Sequence, residues 1–211
     1  MSELLLSPAE ARVLAVLVEK SVVTPQYYPM TVNAVMLAAN QKTVRSPIMN
    51  LGEGDTGAAL NRLERDRLAA RDEHSGRAVK WRHHMQHQLL LKPAELAVLV
   101  TLMLRGPQTV SELRANAQAL GGPADVAGLD EALASLQDRA QPLVAELPRA
   151  PGQKESRHAH LLCGEPPAVV PAAAPARGGG SSGDTALALL EERLQALETR
   201  VAELEQRLAP G

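Results

Sequence analysis

Leu6-Ser-Pro-Ala-Glu-Ala-Arg-Val-Leu-Ala-Val-Leu17 returns 85 residues later as Leu91-Lys-Pro-Ala-Glu-Leu-Ala-Val-Leu-Val-Thr-Leu102. Seven pairs are identical: Leu6/Leu91, Pro8/Pro93, Ala9/Ala94, Glu10/Glu95, Val13/Val98, Leu14/Leu99 and Leu17/Leu102. Each stretch reads as a helix start, because Pro suits the first helical position and a first-turn Glu favours the helix dipole. Ser7 and Glu10 form a capping box; in the second stretch Lys92 stands at the cap and that contribution is lost. The repeat points to a duplication, and so to two related halves.

The segments after the two copies are parallel as well. A short helix is expected from Thr31 to Asn40, and its counterpart from Thr109 to Ala119, where Thr109 and Glu112 can form a capping box. A third helix carries Leu60 and Leu63 in the first half and Leu129, Leu133 and Leu136 in the second. Strand-like runs close each half. In the first, Val79, Trp81 and His83 alternate with Lys80, Arg82 and His84 after a turn at Ser75-Gly76. In the second, Leu143–Leu147 and Arg157–Leu162 flank the loop Pro148–Ser156. Three helices followed by a β-hairpin, twice, describe two tandem winged-helix domains over residues 1–88 and 89–163, mainly α with small β-hairpin wings. The alternative is a pair of unrelated small α+β units.

Residues 164–184 are rich in Pro, Ala, Gly and Ser and read as a disordered linker. Beyond it, Leu187, Leu190, Leu194, Leu197, Val201, Leu204 and Leu208 follow an alternating three–four spacing, the a/d seam of a coiled coil over residues 185–209. Glu191, Glu198 and Glu205 fall at e, and Arg193, Arg200 and Arg207 at g. In a parallel pair Arg193 faces Glu198 and Arg200 faces Glu205, whereas an antiparallel pair opposes like charges; parallel self-association is expected. The alternative is one amphipathic helix packed on its own domains.

Composition narrows the function. Only 1% of residues are aromatic (Tyr27, Tyr28 and Trp81), so the cores must be built from Leu, Val, Ala and Met. The same shortage argues against modules that stack bases on rings. The net charge is −2, but it is unevenly spread: +2 over residues 1–90, −1 over 91–163 and −3 over 164–211. Polyanion binding would sit in the first third. Cys163 is the only cysteine, which excludes an intrachain disulfide and fits a reducing compartment. Met1–Leu6 lacks a basic n-region, and the longest apolar run, Leu96 to Leu104, is too short to span a bilayer. A cytoplasmic protein without membrane contact is expected.

In helix-turn-helix proteins the exposed face of the third helix enters the major groove. In the first half that face offers Asn61, Arg62 and Arg65, the wing adds Arg77, Lys80 and Arg82, and the preceding loop adds Lys42 and Arg45. Glu53, Asp55, Glu64 and Asp66 lie on or near the same helix and would repel phosphate. The second half exposes Asp130, Glu131 and Asp138 on its third helix. Its basic residues (Arg149, Lys154, Arg157) are confined to the wing, so protein contact or dimerisation is the better expectation there. His83, His84 and His87, and separately His158 and His160 near Cys163, lack the spacing of a known zinc site and are expected to be surface histidines. No nucleophile elbow, phosphate loop or carboxylate pair marks an enzyme, and no cofactor is expected. A Cys163–His160 dyad is conceivable, but a small buried thiol is the simpler reading.

Thr24-Pro-Gln-Tyr-Tyr-Pro-Met-Thr-Val-Asn33 and Asn40-Gln-Lys-Thr-Val-Arg-Ser-Pro-Ile-Met-Asn-Leu51 closely resemble the YceH family of bacterial proteins. So do Leu104-Arg-Gly-Pro-Gln-Thr-Val-Ser-Glu-Leu-Arg114, Pro151-Gly-Gln-Lys-Glu-Ser-Arg157 with His160-Leu161, and the C-terminal heptads. The resemblance covers nearly the whole chain except the linker. It implies a tandem winged-helix fold and carries no catalytic residues or activity. The chain departs from the family at Gly52 and Gly54, where relatives tend to have Ser, which weakens the cap of the first half's third helix. The function expected is that of a regulatory DNA-binding oligomer, reading double-stranded DNA through the first half. A winged-helix scaffold for protein partners is the alternative.

Overall fold

Ser7 starts the first helix, α1 (Pro8–Val23), as the sequence predicts: its hydroxyl accepts from the Glu10 amide, and the Glu10 carboxylate accepts from the Ser7 amide at 2.9 Å. From Ala11 to Val18 every residue of α1 is buried. A helix buried all round must be enclosed by other elements. Here α2 (Val32–Ala39), α3 (Glu53–Arg65) and α5 (Pro93–Arg105) supply the enclosure. In this computed structural model, residues 4–72, 78–149 and 155–166 are described. The Ser75-Gly76 turn, the 164–184 linker beyond Pro166, and the 185–209 heptads lie outside the described residues.

The two halves repeat the same order of elements. After α1 come β1 (Met30–Thr31), α2, α3, β2 (Ala69–Arg71) and β3 (Lys80–His83). A short α4 (Met85–Gln88) leads into α5, α6 (Val110–Ala117), α7 (Val126–Gln137), β4 (Val144–Leu147) and β5 (Arg157–His160). Mixed α and β structure with small antiparallel sheets is therefore the fold class. In the first half β3 is central, pairing with β2 through Ala70↔Arg82 and with β1 through Met30↔Trp81. In the second half β5 pairs with β4, and its His158 also bridges Gln108. Gln108 stands just before the cap of α6 as Met30 stands just before the cap of α2, so the duplication extends to a sheet edge that sequence patterning does not reveal.

Capping fixes where the shorter helices begin. Thr31 and Thr109 accept from amides three residues on, at 3.3 Å each, and Asp125 does the same for α7 at 2.8 Å. Lys92 gives α5 no side-chain acceptor, but half of the box survives: Glu95 accepts from the Lys92 amide at 2.9 Å and from the Ser135 hydroxyl at 2.8 Å. Gly52 likewise begins α3 without a side-chain cap, and Asp55 accepts from its amide at 3.0 Å. The helix starts at Glu53 despite the glycine.

The two halves share one core. Leu14, Leu17, Leu60 and Leu63 of the first half belong to the same buried cluster as Leu99, Leu102, Leu129 and Leu136 of the second. Backbone bonds also join them: the Leu6 amide donates to Leu162 O at 2.7 Å, and the Ser46 amide to Leu104 O at 2.8 Å. Gln141 exchanges two side-chain bonds with the Leu4 backbone. The boundary at residue 88 thus separates repeats in sequence, while α1 packs on α5 across it.

Candidate nucleic-acid interface

On α3 the buried residues Thr56, Ala59, Leu60 and Leu63 turn one face to α1 and leave Asn61, Arg62 and Arg65 exposed. Beside them runs the β2–β3 pair. The two elements meet through Arg71 of β2, whose guanidinium donates to Asn61 Oδ1 at 2.9 Å, lies 3.4 Å from Glu64 and sits 5.1 Å from the Trp81 ring centre. That position over an aromatic face holds the side chain by cation–π attraction. Arg62 pairs with Asp66 one turn on at 3.0 Å, and Arg82 pairs with Asp72. Lys80 is half-buried on β3, and Arg65 and Lys42 are exposed. Arg77 lies outside the described residues. Glu53 and Asp55 are exposed at the start of α3, at the end of the helix opposite Arg62 and Arg65.

Arg45 is not part of this surface. Its side chain is fully buried, and it donates to both carboxylate oxygens of Glu19 (3.1 and 2.6 Å), to Gln41 and to the carbonyls of Ala38 and Val44. The expectation that it contacts phosphate is corrected on a physical ground: all of its donors point inward to fixed acceptors. It ties the loop between α2 and α3 to α1, leaving Lys42, Thr43 and Val44 exposed outside it. Val44 adopts a φ of 62°, a left-handed conformation that is strained for a β-branched residue. Asn40 fastens the other end of the loop, donating to Leu51 O at 2.9 Å and accepting from its amide at 2.8 Å.

In the second half, Asp130, Glu131 and Asp138 are exposed as expected. Arg157 of β5 is turned back on its own half, pairing with Glu112 at 2.9 Å and donating to Pro107 O at 3.0 Å. The Thr109 amide and Arg157 together hold the Glu112 carboxyl below its ordinary range. Arg149 is exposed, and Lys154 lies outside the described residues.

The histidines differ from expectation in part, for His87 is exposed as expected. His158 is buried, and His83 and His160 are half-buried rather than on the surface. Burial pushes His83 and His160 down to about 4, so both imidazoles are neutral at pH 7. His83 Nε2 lies 3.1 Å from Ser21 Oγ, whose own hydrogen goes to Val18 O. Ser21 must therefore accept from His83 Nε2–H. That polarity is the reverse of nucleophile activation. The His83 amide donates to Tyr28 Oη at 2.6 Å, and burial raises that phenol to about 12. Among the described residues, no three His, Cys, Asp or Glu side chains gather to hold a metal ion. Burial, with Glu10 nearby, raises the Cys163 thiol above its ordinary range and keeps it un-ionised, so it is no activated partner for His160.

Sequence reasoning missed Arg71, hidden in a short polar run, and Arg12. Arg12 occupies a core position of α1, whose counterpart in the repeat is the buried Ala97. An arginine where the other copy needs only a methyl group is the signal that could have found it.

A protein-family model described as a protein of unknown function, DUF480, matches residues 6–153. The chain is 44% identical over 203 residues to a UPF0502 protein of Geobacter sulfurreducens, covering 96% of this chain and 91% of that one. A UPF0502 protein of an Azoarcus species is 46% identical over 203 residues (94% and 89% covered). One of Stenotrophomonas maltophilia is 46% identical over 205 residues (97% and 93% covered). No helix among the described residues is long and apolar enough to cross a membrane. With the match running from the first repeated helix into the loop before β5, the chain belongs to the DUF480/UPF0502 family of bacterial proteins.

Proposed function

We propose that each half is a winged helix and that the chain is a cytoplasmic, non-catalytic regulator that binds duplex DNA through the face shared by α3 and the β2–β3 pair. The winged reading is supported by the repeated order of three helices and an antiparallel pair, with the second strand also meeting the residue that precedes the second helix. One observation carries the DNA reading: Arg71 joins β2 to Asn61 and Glu64, making helix and wing one continuous surface. On its α3 side Arg62, Arg65 and Arg71 outnumber Glu64 and Asp66, while Lys80 and Arg82 alternate with Trp81 and extend the other face of the β2–β3 pair. Exposed ion pairs such as Arg62–Asp66 contribute only about 0–1 kcal/mol, so phosphates can replace their carboxylates. The heptad leucines from Leu187 to Leu208 would pair two such chains in parallel.

Duplex binding by the full chain, followed by fluorescence anisotropy across a salt series, tests this. Affinity should fall steeply with salt, and Arg62→Ala, Arg65→Ala and Arg71→Ala together should weaken it about tenfold or more and flatten the salt slope. No duplex binding at low salt overturns the reading. The exposed Asp130, Glu131 and Asp138 favour a second role, contact of the second half with a protein; a salt-insensitive protein complex without duplex binding would make that the primary one. Removal of residues 185–211 should reduce the mass in solution to that of a monomer, and an unchanged mass would remove the oligomer from the proposal.

A further inference from the structure

Arg12 is a core cation that pairs with no carboxylate among the described residues. It is 1% exposed, and its Nη atoms donate to the carbonyls of Ala39 at 3.3 Å and Pro47 at 2.8 Å. Its Nε is buried with no partner. The acid nearest in effect, Glu19, is already committed to Arg45 and Lys20. Carbonyl dipoles offset part of a full charge, and a buried unpaired charge is costly. The duplicate position manages with Ala97, so packing does not require this arginine.

Beside Arg12 opens a cavity of about 420 Å³, within the range of small-molecule sites. Pro8, Ala11, Met49, Met103 and Pro107 make its wall largely apolar, and His160 and Cys163 also line it. The His160 Nδ1 is buried and unpartnered. Among the described residues Glu165 is the one carboxylate on the wall, and it is exposed. We propose that this cavity binds a small apolar carboxylic acid, its hydrocarbon body against the prolines and methionines and its carboxylate paired with Arg12. Arg12 itself lines the cavity beside Met49 and Met103, whose unbranched side chains adapt readily to a bound hydrocarbon. The site joins α1 of the first half to α5 and β5 of the second, and it stands independently of any nucleic-acid contact.

Cys163 is the sole cysteine, so its rate of thiol alkylation in the full chain reports on the cavity. Octanoate should slow alkylation saturably, at a concentration about tenfold lower than octan-1-ol needs. Arg12→Met should abolish that preference for the acid. Met49→Trp, which fills the cavity without touching the charge, should abolish protection by both compounds, and it decides the matter if Arg12→Met does not fold. Protection that is absent or unsaturable, equally strong with the alcohol, or unchanged in Met49→Trp overturns the proposal.

Discussion

One arginine, one lysine and two histidines show how burial changes what a charged residue does. Arg45 looks in sequence like its neighbour Lys42, yet its guanidinium is fully buried against Glu19 and three other acceptors, while Lys42 is exposed. Breaking a buried pair leaves an uncompensated charge, so Arg45→Ala should lower the unfolding free energy by about 3–5 kcal/mol. Lys42→Ala should change it by less than about 0.5 kcal/mol. Urea denaturation distinguishes them, and equal midpoints would contradict the assignment. His83 and His160 give the molecule a pH dependence of definite sign. Their folded values are pushed down to about 4 by burial, below the ordinary value of about 6.5. Between these limits the unfolded chain binds protons that the folded chain refuses. Stability therefore rises with pH from about 4 to about 6.5 and is level above. Each shift corresponds to roughly 3 kcal/mol at full extent. In His83→Asn the fall in urea midpoint between pH 6.5 and 4.5 should be clearly smaller than in the parent chain; identical slopes would mean that His83 is not protected from protonation.

At the scale of elements, α3 is the helix whose own sequence leaves stability unused. It carries Gly54 and Gly57 in its interior, and a Cβ at either would meet nothing within 4 Å. Helical glycine costs roughly 0.5–1 kcal/mol relative to alanine. Gly57→Ala should stabilise the chain by about that amount with no change in the charge of the face, measured as a raised melting temperature. A lowered one would mean that α3 needs the glycine for a reason other than its own folding. The helices were legible because their signals are local: Ser7 with Glu10, Thr109 with Glu112, and leucines one turn apart lie within a few residues of each other. β1 was not legible, because Met30 and Thr31 become a strand only by pairing with Trp81 and Lys80, about fifty residues on. The candidate interface was legible as a set of residue types but not as a set of free charges. Whether Arg62, Arg71 or Arg82 meets a carboxylate depends on which turn or strand brings Asp66, Glu64 or Asp72 alongside.

The molecule as a whole binds its two halves more tightly than a tandem arrangement implies. Two winged domains on a tether would each close their own core and unfold separately. Here Leu14 and Leu17 of α1 and Leu99 and Leu102 of α5 are all fully buried in one cluster, and α1 packs directly on α5. Each fully buried leucine contributes roughly 1.5–3 kcal/mol relative to exposure. Separating the halves would also free the Leu6–Leu162 and Ser46–Leu104 backbone bonds and the Gln141 clasp on Leu4. Losses of this kind are comparable to the whole stability of a typical small domain, about 5–15 kcal/mol. Residues 1–166 should therefore unfold in one transition, with the same urea midpoint whether followed by Trp81 fluorescence in the first half or by circular dichroism of both. A fragment of residues 1–88 should expose the α5-facing side of α1 and fail to fold alone, recovering structure when mixed with residues 89–166. Two separated transitions, or a folded 1–88 fragment, would restore the picture of independent domains and remove the shared wall on which the Arg12 cavity depends.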